Sequence, residues 1–177
     1  VVGVSLAAVL EAAAVTYYVN DGSTNGDIYC STSGVDAVGR GTNAATPAMS
    51  LDFVFSTYNV EPGETVWIDT GIYTNNFLYL TSADGGSAGT YVEFRGSTNK
   101  AIGTVLVPQS GSPNILNLDN ADYCRFADMT FSGAAQYGVE LGSGSDHNQF
   151  LRVKFLSCGS GVRGTSGSSN LFENCLA

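Results

Sequence analysis

Charge is scarce in this 177-residue chain and positive charge scarcer still: Asp, Glu, Lys and Arg make up 13% of it, with 7 Lys and Arg against 16 Asp and Glu. The resulting formal charge of −9 excludes a nucleic-acid binder that works by neutralising phosphates. The helix formers Glu, Lys and Arg are too few to argue for a helical fold. Histidine occurs once, at His147, and the four cysteines, Cys30, Cys124, Cys158 and Cys175, form no C-x-x-C, so there is no recognisable zinc or haem ligand set. No apolar stretch is long enough for a membrane span. The most apolar one, residues 1–15, would reach about 22 Å as a helix, against a hydrocarbon core of about 30 Å.

Glycine is plentiful instead, with 22 residues, well above the usual share of about 7%. Ser, Thr and Asn are frequent, and 44% of the chain is hydrophobic. This composition predicts a folded, all-β domain of many short strands and turns. Residues 1–15 carry only Ser5 and Glu11 as polar side chains, with no initiator Met and no basic stretch before them. They are expected to be either a signal remnant ending near the small residues Ala12, Ala13 and Ala14 or an assembly segment. Either way the protein is expected outside the cell or on its surface. Residues 16–177 form the second unit, and it stops at Phe172-Glu173-Asn174-Cys175-Leu176-Ala177 in the middle of a strand pattern, so the domain is expected to be incomplete at its C-terminus.

A repeat in the second half determines the expected architecture. Three segments align without gaps: Cys124-Arg125-Phe126-Ala127-Asp128-Met129-Thr130-Phe131, Asn148-Gln149-Phe150-Leu151-Arg152-Val153-Lys154-Phe155 and Asn170-Leu171-Phe172-Glu173-Asn174-Cys175-Leu176-Ala177. They start 24 and 22 residues apart, and apolar residues recur at their third, sixth and eighth positions. A further strand follows in the two complete copies, at Gly138-Val139-Glu140-Leu141 and Gly161-Val162-Arg163. Self-similarity at this period predicts a stacked solenoid. Phe126, Phe150 and Phe172 should then form an internal aromatic stack, with Phe131 and Phe155 in a second column, a core role and not a ligand site.

The first half reads as less regular coils. Glu64-Thr65-Val66-Trp67-Ile68-Asp69 alternates with period two, followed by Gly71-Ile72-Tyr73 and Phe77-Leu78-Tyr79-Leu80, and Thr90-Tyr91-Val92-Glu93-Phe94-Arg95 opens the next coil. Residues 104–107 and 114–118 complete it. Between residues 49 and 58 apolar side chains fall every three or four positions, which predicts a short amphipathic helix capping the first coil.

The segment Tyr17-Tyr18-Val19-Asn20-Asp21-Gly22, the stretch Gly41-Thr42-Asn43-Ala44-Ala45-Thr46-Pro47, the helix after it and Gly63-Glu64-Thr65-Val66-Trp67-Ile68-Asp69-Thr70-Gly71-Ile72-Tyr73 together resemble the N-terminal part of the pectate-lyase-like superfamily. The resemblance covers most of residues 16–177 and implies a right-handed parallel β-helix, here of about four coils with an N-terminal capping helix. It implies no single activity, because the superfamily contains polysaccharide lyases and hydrolases, carbohydrate-binding surface proteins and proteins without catalysis. Members that cleave uronic-acid polymers place acidic calcium ligands and a basic proton acceptor on one outward face. Here the outward positions are mixed: Glu93, Arg95, Arg125, Gln149, Leu171 and Glu173. Asp122, Asp128 and Asp146 lie near the coils but do not repeat in one column at ligand spacing. Arg125 with Asp128 or Arg152 reads as a solvated ion pair, and His147 reads as a turn residue. No active site is visible.

One segment suggests a metal. Asp21, Ser23, Asn25 and Asp27 alternate as in the first half of a calcium loop, with Gly26 in sixth place, but position twelve is Thr32 and not the closing acid. The alternatives are a structural calcium and a plain Gly/Asx turn; no other cofactor is expected. Cys124, Cys158 and Cys175 occupy different columns, which favours free thiols for these three, while Cys30 in the N-terminal loop is left open to a disulfide partner that the sequence does not single out. Tyr73, Tyr79, Tyr91, Tyr123 and Tyr137 include outward positions suited to stacking on sugar rings. The reading that follows is a non-catalytic extracellular β-helix module whose partners are copies of itself, assembled head to tail into a filament. Its alternatives are the N-terminal portion of a polysaccharide lyase or glycoside hydrolase with its catalytic residues beyond Ala177, and a carbohydrate-binding surface domain. Nucleic acid and a membrane span are not expected.

Overall fold

The computed structural model describes residues 13–75 and 78–177. Of the apolar stretch 1–15 only Ala13, Ala14 and Val15 are therefore described, and Phe77 of the expected strand 77–80 also lies outside the described residues. Strand β1 (Thr16–Val19) is followed, after a long loop, by helix α1 (Leu51–Thr57). Strands then come in rounds of three. The first round is β2 (Thr65–Ile68), β3 (Gly71–Asn75) and β4 (Leu78–Thr81), and the second is β5 (Val92–Gly96), β6 (Thr104–Pro108) and β7 (Leu116–Asp119). The third is β8 (Cys124–Ala127), β9 (Met129–Ser132) and β10 (Tyr137–Leu141), and the fourth is β11 (Gln149–Leu151), β12 (Lys154–Leu156) and β13 (Ser160–Gly164), before β14 (Leu171–Glu173). Each round sends one strand to each of three sheets, of six, four and four strands. Every strand pairing is parallel. The chain is a parallel β-helix.

Period-two alternation sends one side chain inward and the next outward. In β2, Val66 and Ile68 are buried while Thr65 and Trp67 face out, and β5 repeats the pattern with Val92 and Phe94 in, Glu93 and Arg95 out. Stacking in register lines up the inward rings. Phe94, Phe126, Phe150 and Phe172 are successive partners, with ring centroids 4.6, 5.2 and 4.8 Å apart and planes within 10° of parallel. Phe131 and Phe155 stack at 5.6 Å in the next sheet. These distances follow the spacing of neighbouring strands, about 4.8 Å. Each pair adds about 0.5–1.5 kcal/mol beyond the area it buries.

The corner out of the six-stranded sheet is a single residue in the left-handed region on three successive rungs: Asp128 (φ 59°), Arg152 (φ 55°) and Asn174 (φ 55°). The corner into that sheet is held by side-chain ladders. Asn148 Oδ1 accepts from Cys124 N (2.8 Å) while its Nδ2 donates to the Ala121 carbonyl (2.9 Å). Asn170 repeats this with Asn148 N (2.9 Å) and the Ser145 carbonyl (2.8 Å). Beside them, Asp122 accepts from Asp146 N (2.7 Å) and Asp146 from Ser168 N (2.5 Å). Asp122 and Asp146, one repeat of 24 residues apart, thus share a column that Asp128 does not join. They serve as acceptors for the turns of the next coil, which the alignment of strands alone does not show. All four cysteines are free, with Cys30 and Cys124 buried.

Helix α1 begins at Ser50, whose hydroxyl accepts from Phe53 N (3.1 Å) and donates to Asp36 (2.7 Å). It buries Leu51 and Val54 with Tyr17 and Val19 in the common core, and Phe55 lies 5.7 Å from Phe94. The long loop before it is pinned by one acid. Asp69 is fully buried and accepts four backbone N–H groups, from Ile28 (2.9 Å), Tyr29 (2.8 Å), Cys30 (2.6 Å) and Thr70 (2.8 Å). No helix among the described residues is long and apolar enough to cross a membrane.

Candidate functional site

The outer face of the six-stranded sheet gathers the polar and aromatic groups that face solvent in successive coils. One column runs Thr65, Glu93, Arg125, Gln149 across β2, β5, β8 and β11, and the next runs Trp67, Arg95, Ala127, Leu151. Two residues before Glu93, Arg125 and Gln149, the side chains of Tyr91, Tyr123 and His147 form a third column.

These columns are knitted together. Arg125 Nη1 pairs with Glu93 Oε1 at 2.5 Å, and its Nε donates to Gln149 Oε1 at 2.8 Å. Gln149 Nε2 donates to the Tyr91 hydroxyl at 2.8 Å, and the Arg125 guanidinium lies 4.1 Å from the centre of the Tyr91 ring. Tyr123 stands edge-on to Tyr91 at 5.8 Å and stacks on His147 at 4.8 Å with planes 11° apart. Both Tyr123 (φ 51°) and His147 (φ 58°) hold the left-handed conformation, uncommon for side chains beyond Cβ and strained for a bulky one. On the other side Arg95 pairs with the second oxygen of Glu93 and lies 5.7 Å over Trp67. Tyr29 packs on Trp67 at 4.5 Å and donates to the Gly96 carbonyl at 3.0 Å. Burial pushes the Tyr29 hydroxyl above its ordinary pKa. The face therefore offers aromatic rings flanking a row of fixed donors and acceptors. Its carboxylate, Glu93, is held between two guanidinium groups.

Spacing alone did not bring these groups together. Arg125 pairs with Glu93 and not with Asp128, which instead holds Arg152 through two bonds of 2.6 Å at the exposed corner. Beside that pair lies a hollow of about 400 Å³ lined by Lys100, Ile102, Met129, Thr130 and Lys154. Of the five tyrosines singled out, Tyr91, Tyr123 and Tyr137 are half-buried and Tyr79 is exposed, but Tyr73 is buried and donates to the Asp69 carbonyl (3.0 Å). Tyr137 sits on a different sheet, under the Arg163 guanidinium at 5.1 Å. Trp67 was legible as an outward residue from the alternation of β2. Tyr29 carried no signal, since a loop brings it there.

The four residues of the expected calcium loop lie at the end of β1. Asp21 Oδ1 accepts from Ser23 N (2.7 Å) and Ser23 Oγ from Asn25 N (3.0 Å), two successive turns on the exposed surface. Asp27 turns the other way and accepts from Asn20 Nδ2 (2.6 Å), and burial raises its carboxyl pKa. Among the described residues no group of three or more His, Cys, Asp and Glu side chains converges on a point.

No family model matches the chain, and no curated protein matches it in sequence. A solved structure named rhamnogalacturonan lyase matches it with a TM-score of 0.63 at 14% identity, over 91% of this chain and 51% of that one. The chain spans about half the length of that structure. At this identity the likeness is one of fold, and it agrees with the three parallel sheets in identifying the chain as a parallel β-helix.

Proposed function

We propose that this β-helix binds a polysaccharide along the outer face of its six-stranded sheet, as a binding module and not as a catalyst. The observation that carries the reading is the connected row Glu93–Arg125–Gln149–Tyr91, walled by Tyr123 and His147 on one side and by Trp67 and Tyr29 on the other. Ring faces take the apolar side of a pyranose, and fixed side-chain donors and acceptors take its hydroxyls. The likeness to a structure named for a polysaccharide lyase supports the ligand class. The double clamp on Glu93 supports binding over proton transfer, because a general acid or base must be free to reach a substrate atom. The same reading takes the protein to be exported, where such polymers lie.

Trp67 is the single tryptophan, so its fluorescence reports on this face. Titration with neutral and uronic-acid polysaccharides is expected to change that fluorescence with at least one polymer. Arg125→Ala should weaken binding about 10–100-fold, the worth of a charged hydrogen bond, while Arg163→Ala on another sheet should not. No response to any polymer would remove the proposal. Unsaturated, ultraviolet-absorbing products from the same mixtures would replace binding by cleavage.

A further inference from the structure

Lysine occurs twice in the chain, at Lys100 and Lys154, and the fold brings both to one hollow. The corner out of the six-stranded sheet explains how. On the third rung that corner is Asp128 alone, between β8 and β9, but on the second rung, between β5 and β6, it is the loop 97–103. The extra residues wall a hollow of about 400 Å³ against Asp128, Arg152 and the outward side chains Thr130 and Lys154, which pair across β9 and β12. The loop is held in place by its own hydrogen bonds. Ser97 N donates to Thr104 Oγ1 (2.7 Å), Asn99 Nδ2 to the Gly26 carbonyl (2.8 Å) and Ala101 N to Asn99 Oδ1 (3.0 Å). Lys100 therefore stands on a fixed backbone.

The charges in this hollow do not cancel. Arg152 is taken up by Asp128, whose two carboxylate oxygens meet its Nε and Nη2 at 2.6 Å each. Asp128 is the one acid in the lining, and no ion pair among the described residues involves Lys100 or Lys154. Two of the chain's seven cations are thus left without an acid on the walls of one hollow, in a protein of formal charge −9. Like charges gathered in this way repel one another, and an anion between them removes the repulsion. The lining adds Thr98 and Thr130, which carry hydroxyls, and the apolar Ile102 and Met129.

We propose that the hollow binds a tetrahedral oxyanion, the sulfate or phosphate ester group of a sugar, between Lys100 and Lys154. An arginine fork matches a planar carboxylate through two parallel bonds, and the one fork in the hollow, Arg152, already holds a carboxylate. An ammonium is a compact point charge with three donors and no preferred plane. Two of them, one from a loop and one from a strand, suit a group whose oxygens point in several directions. A phosphate ester also brings a charge of about −1.5 to −2 to meet their two positive ones. Ile102 offers an apolar wall to the ring that carries the ester. The hollow lies at the corner past Arg95 and Leu151, outside the row of Glu93, Arg125 and Gln149. The sugar ring in this proposal rests on the polysaccharide reading, and the anion site does not.

Because the chain has two lysines, protein grown with carbon-13 lysine gives two sets of lysine side-chain NMR signals, which Lys100→Gln assigns. The probes share one ring and differ in its charge: glucose 6-sulfate, glucose 6-phosphate, glucuronate and glucose, at fixed pH and ionic strength. Both lysines should shift with a common midpoint for at least one ester, and the ester with the lower midpoint identifies the group the hollow takes. Glucose should leave both in place. Glucuronate, with one oxygen fewer, should bind about tenfold more weakly, the worth of one charged hydrogen bond. Lys100→Gln and Lys154→Gln should each weaken the ester about 10–100-fold, while Arg40→Gln, which removes a cation elsewhere, should not. Lysine signals that stay in place, or that shift with separate midpoints, would show two independent solvated charges and overturn the proposal. Equal binding of glucuronate or glucose would overturn it too. Trp67 fluorescence reports on the row and the lysine signals on the hollow, so the failure of one reading is distinct from the failure of the other.

Discussion

Single buried acids carry much of the irregular part of this molecule. Asp69 collects four backbone N–H groups from two segments about 40 residues apart in sequence. Glu64, also buried, accepts from Val15 N (3.1 Å), the Tyr17 hydroxyl (3.1 Å) and Glu61 N (2.8 Å). Such hydrogen bonds to a charged group are among the stronger ones, and leaving their donors unmade costs more than the bonds gain. Asp69→Ala is therefore expected to destabilise the fold by about 3 kcal/mol or more, seen as a fall in Tm of roughly 6–12 °C. An unchanged melt would mean that water takes over all four donors. Neither acid stands out in the sequence. Glu64 and Asp69 bracket the alternating run of β2 and look like ordinary strand-end residues, and their partners become visible only when the loop folds back.

At the scale of elements, the corners decide how the chain turns. Asp128, Arg152 and Asn174 sit on successive rungs in the left-handed region, and so do Gly133 (φ 83°) and Ser157 (φ 52°) at the next corner. An L-residue pays about 1–2 kcal/mol for that conformation, and glycine does not. Ser157 is exposed, and its rung-mate is already glycine. Ser157→Gly should therefore stabilise the protein by about 0.5 kcal/mol, once the greater freedom of glycine in the unfolded chain is subtracted, raising Tm by roughly 1–2 °C. A lower Tm would show that the hydroxyl holds the corner. The strands themselves were readable. Offsets of 24 and 22 residues put Phe126, Phe150 and Phe172 in one column, because parallel strands in register must stack equivalent residues. The amphipathic spacing of residues 49–58 likewise marked α1, found at Leu51–Thr57. The asparagine ladder was within reach, since Asn148 and Asn170 align in that repeat. Its first rung is Cys124, which conceals the column.

For the whole molecule, pH couples to burial through neutral groups. Burial, then the hydrogen bond to Glu64, pushes the Tyr17 hydroxyl up to about 12 from 10.0. Burial, then Asp69, pushes the Cys30 thiol up to about 12 from 9.0, and burial, then Asp84, does the same for Cys124. Each group keeps its proton in the fold at a pH where the unfolded chain has lost it. Their contribution is thus fully present below about pH 9 and is lost as pH rises from 9 to 12. Tm measured against pH should be level up to about pH 9 and fall beyond it, and Cys30→Ala should make the fall shallower. A Tm that holds to pH 12 would contradict this.

The sequence by itself determined the parallel β-helix, its inward phenylalanine columns and its capping helix, because those depend on periodicity, and periodicity survives in one dimension. Tertiary structure alone decided which outward side chains meet. Arg125 finds Glu93 on the strand before it and Gln149 on the strand after, 32 and 24 residues away. Tyr29 reaches Trp67 from a loop, and Asn20 meets Asp27 with two oxygens left over. Which of the stacked side chains bond depends on how far each reaches and on how a loop folds back, and neither is written in the local order of residues.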